Sequence, residues 1–155
     1  MRRPAAGLHP HIDLHRILAA DTTHLVFERI HRFALIFLDF VDFNCGICLQ
    51  DINRFIDNLG DLEAQKILKR KVLVLVRRNE KEITFQERIV NGWRESHRIS
   101  FPVTLISQDV FEDSQISKTS VVLLGLGGEI EFISEFPLGR EKHGQVMRML
   151  SSISN

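Results

Sequence analysis

With 155 residues, the chain has room for one domain of ordinary size. Apolar residues make up 44% and charged residues 26%, the balance of a globular protein rather than of a disordered or fibrous one. Lys plus Arg and Asp plus Glu number 20 each and cancel to a formal charge of zero. Nucleic acid is therefore not expected as a partner, because polyanion-binding domains carry a basic excess.

Residues 1–32 read as an N-terminal arm. They hold five of the seven histidines (His9, His11, His15, His24 and His31), whose spacings match no ligand pattern. A solvated segment is expected there, with a short helix near Leu14 to Ala19 and a short edge strand at Leu25 to Phe27. Met1-Arg2-Arg3-Pro4 is charged, but no apolar stretch follows it, so no signal peptide is expected. The expected location is cytoplasmic, or periplasmic or membrane-tethered if a leader has been removed.

Residues 33–155 read as a single α/β domain with a central mixed sheet. Phe33 to Leu38 is a continuous apolar run, as in a strand buried on both faces. It falls far short of the ~20 residues that cross a bilayer, so no membrane span is expected. Ile47, Ile52, Phe55, Ile56 and Leu59 recur at helical spacing, predicting an amphipathic helix stopped by Gly60. Lys71 to Val76 is a second buried strand, with Arg77 and Arg78 ending it in solvent. Ile83 to Glu95 is expected to be a helix with Phe85, Ile89 and Trp93 on its inner face. A short strand at Phe101 to Leu105 and a short helix or turn at Asp109 to Ser117 follow. Ser120 to Leu124 and Glu129 to Ser134, joined at Gly127-Gly128, predict a C-terminal β-hairpin. No Gly-Lys-Ser/Thr follows Val121 to Gly128, so that segment is not a phosphate loop. Lys142 to Ile153 closes the chain as a helix. His97 and His143 are expected at helix ends or on the surface.

The two cysteines stand as Cys45-Gly46-Ile47-Cys48, just past a buried strand and at the first turn of a helix. A helix N-terminus offers unpaired N–H groups and a positive dipole end, and both favour thiolate over thiol. A free cysteine titrates near ~8.5; lowered toward ~7, it becomes a competent nucleophile. Cys48 lies nearly one turn on, within disulfide reach. Cys45 is thus the expected exposed attacker, Cys48 the buried resolving thiol, and Gly46 a point where another chain can approach. Asp39, six residues before Cys45, lies inside the apolar run at Leu38-Asp39-Phe40. A buried carboxylate resists ionisation and could carry the proton of the buried sulfur; the alternative is a strand-end residue solvated through the loop. Asp42 lies nearer the loop and is expected to be exposed. Other readings of the cysteines are half of a zinc site completed by His97, His143 or a second subunit, an inert disulfide, or two unreactive thiols.

Leu38-Asp39-Phe40-Val41-Asp42-Phe43-Asn44-Cys45-Gly46-Ile47-Cys48 resembles the active-site segment of the thioredoxin superfamily. The layout from Phe33 to Ile153 is most similar to the branch of thiol-disulfide oxidoreductases related to cytochrome-maturation proteins and, more distantly, peroxiredoxins. The Phe101-Pro102-Val103 strand start and the late hairpin belong to that resemblance. It implies a thioredoxin-like fold with helices on both faces of the sheet. It also implies Cys45 as nucleophile, Cys48 as resolving thiol and Asp39 as buried proton carrier. Gly46, Ile47 and Thr119 would be the binding residues. Partners would be protein thiols or disulfides and a redox partner, with no cofactor beyond the dithiol. Three positions depart from the pattern. Asn44 replaces a tryptophan, Ile47 replaces a proline, and Thr119 stands where the family has a cis-proline that keeps metal from the cysteines. That last departure leaves a metal-binding or non-catalytic interaction domain as the alternative. No peroxiredoxin-type Pro-x-x-x-Thr-x-x-Cys segment precedes Cys45, so peroxide reduction is not expected.

Overall fold

The computed structural model describes residues 32–152. The histidine-rich arm, its expected helix and its edge strand lie outside the described residues. The elements in chain order are β1 (Phe33–Leu38), a 3-10 turn (Phe40–Asn44), α1 (Gly46–Ala64) and β2 (Lys71–Arg77). A second 3-10 turn (Glu80–Glu82), α2 (Ile83–Ser96), β3 (Val103–Ile106) and α3 (Gln108–Asp113) follow. The hairpin β4 (Ser120–Leu124) and β5 (Ile130–Glu135) and the helix α4 (Gly139–Ser151) complete the domain.

The strands form one mixed sheet in the order β3-β2-β1-β4-β5. β1 sits at its centre, parallel to β2 and antiparallel to β4, with Leu35 opposite Leu73 on one side and Val122 on the other. All six β1 side chains are buried, as the unbroken apolar run requires of a strand covered on both faces. Ala34, Ile36 and Leu38 pack with Phe55 and Leu59 of α1, Trp93 of α2 and Val146 and Leu150 of α4. Phe33, Leu35 and Phe37 face the other way, onto Val110 and Phe111 of α3 and Ile116. Helices thus cover both faces. The crossovers β1-α1-β2 and β2-α2-β3 step in the same direction across the sheet, and right-handed connections then place α1 and α2 on one face. Among the described residues, no helix is long and apolar enough to cross a membrane.

Gly60 does not stop α1, which runs through it to Ala64. The stop comes at Lys66, in the left-handed region at φ 61°. The Ile67 N–H bonds to the Leu62 carbonyl and the Lys66 N–H to that of Glu63, closing the helix in a Schellman motif. Arg98 (φ 51°) and Gln115 (φ 61°) end α2 and α3 in the same way. None of the three is glycine, so the expected glycine signal is missing at every one of these ends.

The inner face of α2 also differs from expectation. Gln86, Val90 and Trp93 are the buried residues, while Phe85 is 47% exposed. The rotation brings the Gln86 side-chain oxygen onto the Asn79 N–H at 2.9 Å, and a buried amide so bonded costs little. Phe85 leans instead toward Phe40, with ring centres 6.3 Å apart. Trp93 packs its helix onto the sheet as expected and donates its indole N–H to Asn53 at 2.7 Å.

Candidate functional site

The disulfide-bonded pair Cys45 and Cys48 lies beyond the carboxyl end of β1. Open α/β sheets bind ligands outside the carboxyl ends of their strands. Asp39 ends the strand. Its carboxylate accepts the Val41 N–H at 3.2 Å and so caps the 3-10 turn. That turn delivers Cys45 as the N-cap of α1. The Cys45 N–H bonds to the Asp42 carbonyl at 3.1 Å, and the Cys45 carbonyl accepts the first helical bond from Leu49. Cys45 Sγ accepts the Cys48 N–H at 3.2 Å, the capping bond a serine or aspartate oxygen would make in its place. The Cys45 and Cys48 Cα atoms are 5.2 Å apart, within ordinary disulfide geometry.

Exposure around the pair is the reverse of the expected order. Cys48 is exposed and Cys45 half-buried. Cys45 directly follows the 3-10 turn, while Cys48 lines a cleft of about 370 Å³. Asp42, Ile47, Asp51, Phe136 and Pro137 share its walls. Ile47 is 83% exposed. Gly46 opens α1 on the surface, and a Cβ there would meet no atom within 4 Å.

Asp39 is not buried within the strand. Its side chain is 23% exposed and faces the Arg77 guanidinium at 3.7 Å. Arg77, expected in solvent, lies over the Phe111 ring at 5.1 Å and donates to the Ser117 carbonyl at 3.1 Å. Asp39 and Arg77 line a second cleft, of about 690 Å³, on the Phe85 side of the site. The premise of a buried, unpaired carboxylate fails because a cation and a turn N–H both hold it at the strand end.

Asp42 is half-buried rather than exposed, because the Thr119 hydroxyl donates to its carboxylate. The same hydroxyl oxygen accepts the Asp39 N–H at 2.9 Å. Thr119 stands directly before β4, is 4% exposed, and its carbonyl is taken by the Phe136 N–H at 3.0 Å. With hydroxyl and carbonyl both engaged, Thr119 braces the turn. The one cis X-Pro bond among the described residues is Phe136–Pro137. It follows the hairpin instead of preceding it, and Pro137 lines the cleft beside Cys48. Sequence reasoning did not single out Pro137, Asp51 or Arg54; the polar spacing Asp51-Arg54 on an amphipathic helix was the available signal.

His97 and His143, the ligands a zinc half-site would recruit, are engaged elsewhere. His97 Nδ1 lies 3.2 Å from the Asp57 carboxylate, and His143 Nε2 lies 2.8 Å from the Asn58 amide. Among the described residues, no three His, Cys, Asp or Glu side chains are grouped to hold a metal ion.

No family model and no curated protein matches this chain. Solved structures do. A thioredoxin-like protein in its oxidised form superposes with a TM-score of 0.61 at 9% identity, covering 92% of this chain and 97% of the other. StoA from Bacillus subtilis gives 0.57 at 18% identity, covering 76% and 81%. The fold is thioredoxin-like. A secreted disulfide oxidoreductase of Mycobacterium tuberculosis, homologous to Escherichia coli DsbE, gives 0.55 at 10% identity over 79% and 82%. Within a thioredoxin-like frame, the disulfide stands at the head of the helix that follows the central strand.

Proposed function

We propose that this protein carries out thiol–disulfide exchange on protein disulfides through Cys45 and Cys48. The observation that carries the reading is the capping bond from the Cys48 N–H to Cys45 Sγ at the first turn of a 19-residue helix. When the pair is reduced, that N–H and the helix dipole stabilise negative charge on Cys45 Sγ, which favours the nucleophilic thiolate. Cys45 attacks a partner disulfide and forms a mixed disulfide. Cys48, one turn on, attacks Cys45 Sγ and releases the partner thiol. Run backwards, the same steps oxidise a partner dithiol. The dithiol itself holds the two electrons, and no cofactor enters.

Partners meet the exposed edge of the site, where Gly46 leaves room for a backbone and Ile47 offers an apolar side chain. Val41, 60% exposed, and Phe85 extend this apolar rim on the other flank. They supply contact area where the family pattern has a tryptophan and this chain has Asn44.

The test is catalysed reduction of insulin disulfides by dithiothreitol. The wild-type protein is expected to accelerate it, Cys45→Ser to abolish the acceleration, and Cys48→Ser to accumulate a mixed disulfide on Cys45. Equal rates for wild type and Cys45→Ser would leave a passive disulfide and defeat the proposal.

A further inference from the structure

We propose that Asp42 is the carboxylate that takes the proton of Cys48 during exchange, and that Thr119 positions it for this step. The inference rests on the exchange chemistry proposed above. Cys45 has the helix N-terminus to stabilise its thiolate, whereas Cys48, nearly a turn further along the helix, must lose a proton before it can resolve the mixed disulfide. An unassisted thiol titrating near ~8.5 is mostly protonated at neutral pH, so a base beside it raises the rate.

Three carboxylates stand near the pair, and their partners separate them. Asp39 lines the other cleft and faces Arg77. Asp51 shares the Cys48 cleft, but it pairs with Arg54 at 3.5 Å and accepts the Leu138 N–H at 3.3 Å. Asp42 lines that cleft too. Among the described residues its carboxylate is held by a single neutral donor, the buried Thr119 hydroxyl, and Arg54 is the one cation on the cleft wall. The Thr119 hydroxyl occupies one oxygen of Asp42 and fixes the side chain; the other oxygen is the proton acceptor. The substitution of threonine at position 119 and the presence of aspartate at position 42 thus form one device.

Cys45 thiolate displaces one sulfur from the partner disulfide, which leaves as a thiolate. The Cys48 S–H bond breaks, its proton passes to Asp42, and the Cys48 thiolate forms the bond to Cys45 Sγ. The second partner sulfur leaves with the electron pair and takes the proton back from Asp42. Two electrons have moved from the dithiol to the partner, which gains one proton from Cys48 and one from solvent.

Stopped-flow mixing of the reduced protein with the chromogenic disulfide dithio-bis-nitrobenzoate separates the two stages. The first released thionitrobenzoate reports attack by Cys45 and the second reports resolution by Cys48. Asp42→Asn is expected to leave the first phase unchanged and slow the second about a hundredfold at neutral pH, with the deficit closing above about pH 9 as the thiol ionises unaided. Thr119→Val is expected to slow the second phase less, and Thr119→Ser and Asp42→Glu to restore most of it. Asp51→Asn is expected to change neither phase. The wild type supplies a test independent of any variant's folding: proton transfer to a fixed carboxylate, unlike transfer to hydroxide, keeps the second-phase rate nearly level from about pH 8 down to about pH 5.5. A second phase that falls tenfold per pH unit over that range, or one unaltered in Asp42→Asn, overturns the role of Asp42 and leaves the exchange reading standing. A Cys45→Ser protein that still releases the first thionitrobenzoate at the wild-type rate overturns that reading itself.

Discussion

β1 and the 3-10 turn that follows it are neighbours in the chain and opposites in construction. All six β1 side chains are buried, held by apolar contact on both faces of the sheet. The turn Phe40–Asn44 has no buried residue. Phe40 and Phe43 only lean on the core, Phe43 meeting Trp93 edge-on at 5.3 Å, and bonds to distant polar groups complete the hold: Thr119 to Asp42 and to the Asp39 N–H, and Arg77 to Asp39. The strand is a product of its own composition. The turn, which leads into Cys45, is shaped in part by residues some 40 to 80 positions further on.

The contrast can be broken at its strongest point first. Phe37→Ala removes a fully buried ring that meets Phe111 edge-on at 5.3 Å, and should lower unfolding free energy by about 3–5 kcal/mol in urea denaturation. Thr119→Val keeps the shape but strips a buried hydroxyl from two partners, and should cost about 1–3 kcal/mol by the same measurement. Asp39→Ala removes the cap of the turn at a part-exposed position and should cost about 1 kcal/mol. A turn variant as damaging as Phe37→Ala would mean that the turn before Cys45 is part of the core after all.

The same division governs how much could be read from the residues alone. The runs Phe33 to Leu38 and Lys71 to Val76 and the Gly127-Gly128 hairpin declare themselves, because burial on both faces demands apolar character at every position. The placement of Cys45 at a helix N-cap was legible too, since it needs only a strand ending and a helix beginning around it. Asp39 was misjudged because its position follows from Arg77, which leaves β2 over the Phe111 ring, and no local pattern announces that. The exposure of Cys48 was misjudged for a related reason: spacing puts two thiols on one helix face but does not say which of them will be exposed. Phe85 looked like a core residue by helical spacing, yet the buried Gln86, bonded to the Asn79 N–H, claimed the inward position. Gly60 looked like a helix stop because glycine usually is one. The actual stop at Lys66 depends on main-chain bonding that any residue can adopt at a cost.

That cost has an evolutionary side. Lys66, Arg98 and Gln115 each hold a left-handed backbone that a side chain resists by roughly 1 kcal/mol and that glycine accepts freely. All three lie at helix ends remote in sequence from Cys45 and Cys48. Glycine at any one of them would act as a global suppressor, restoring fold to a protein weakened by change around the dithiol without altering the dithiol itself. The turn before Cys45 is therefore freer to diversify than its dependence on distant hydrogen bonds would imply.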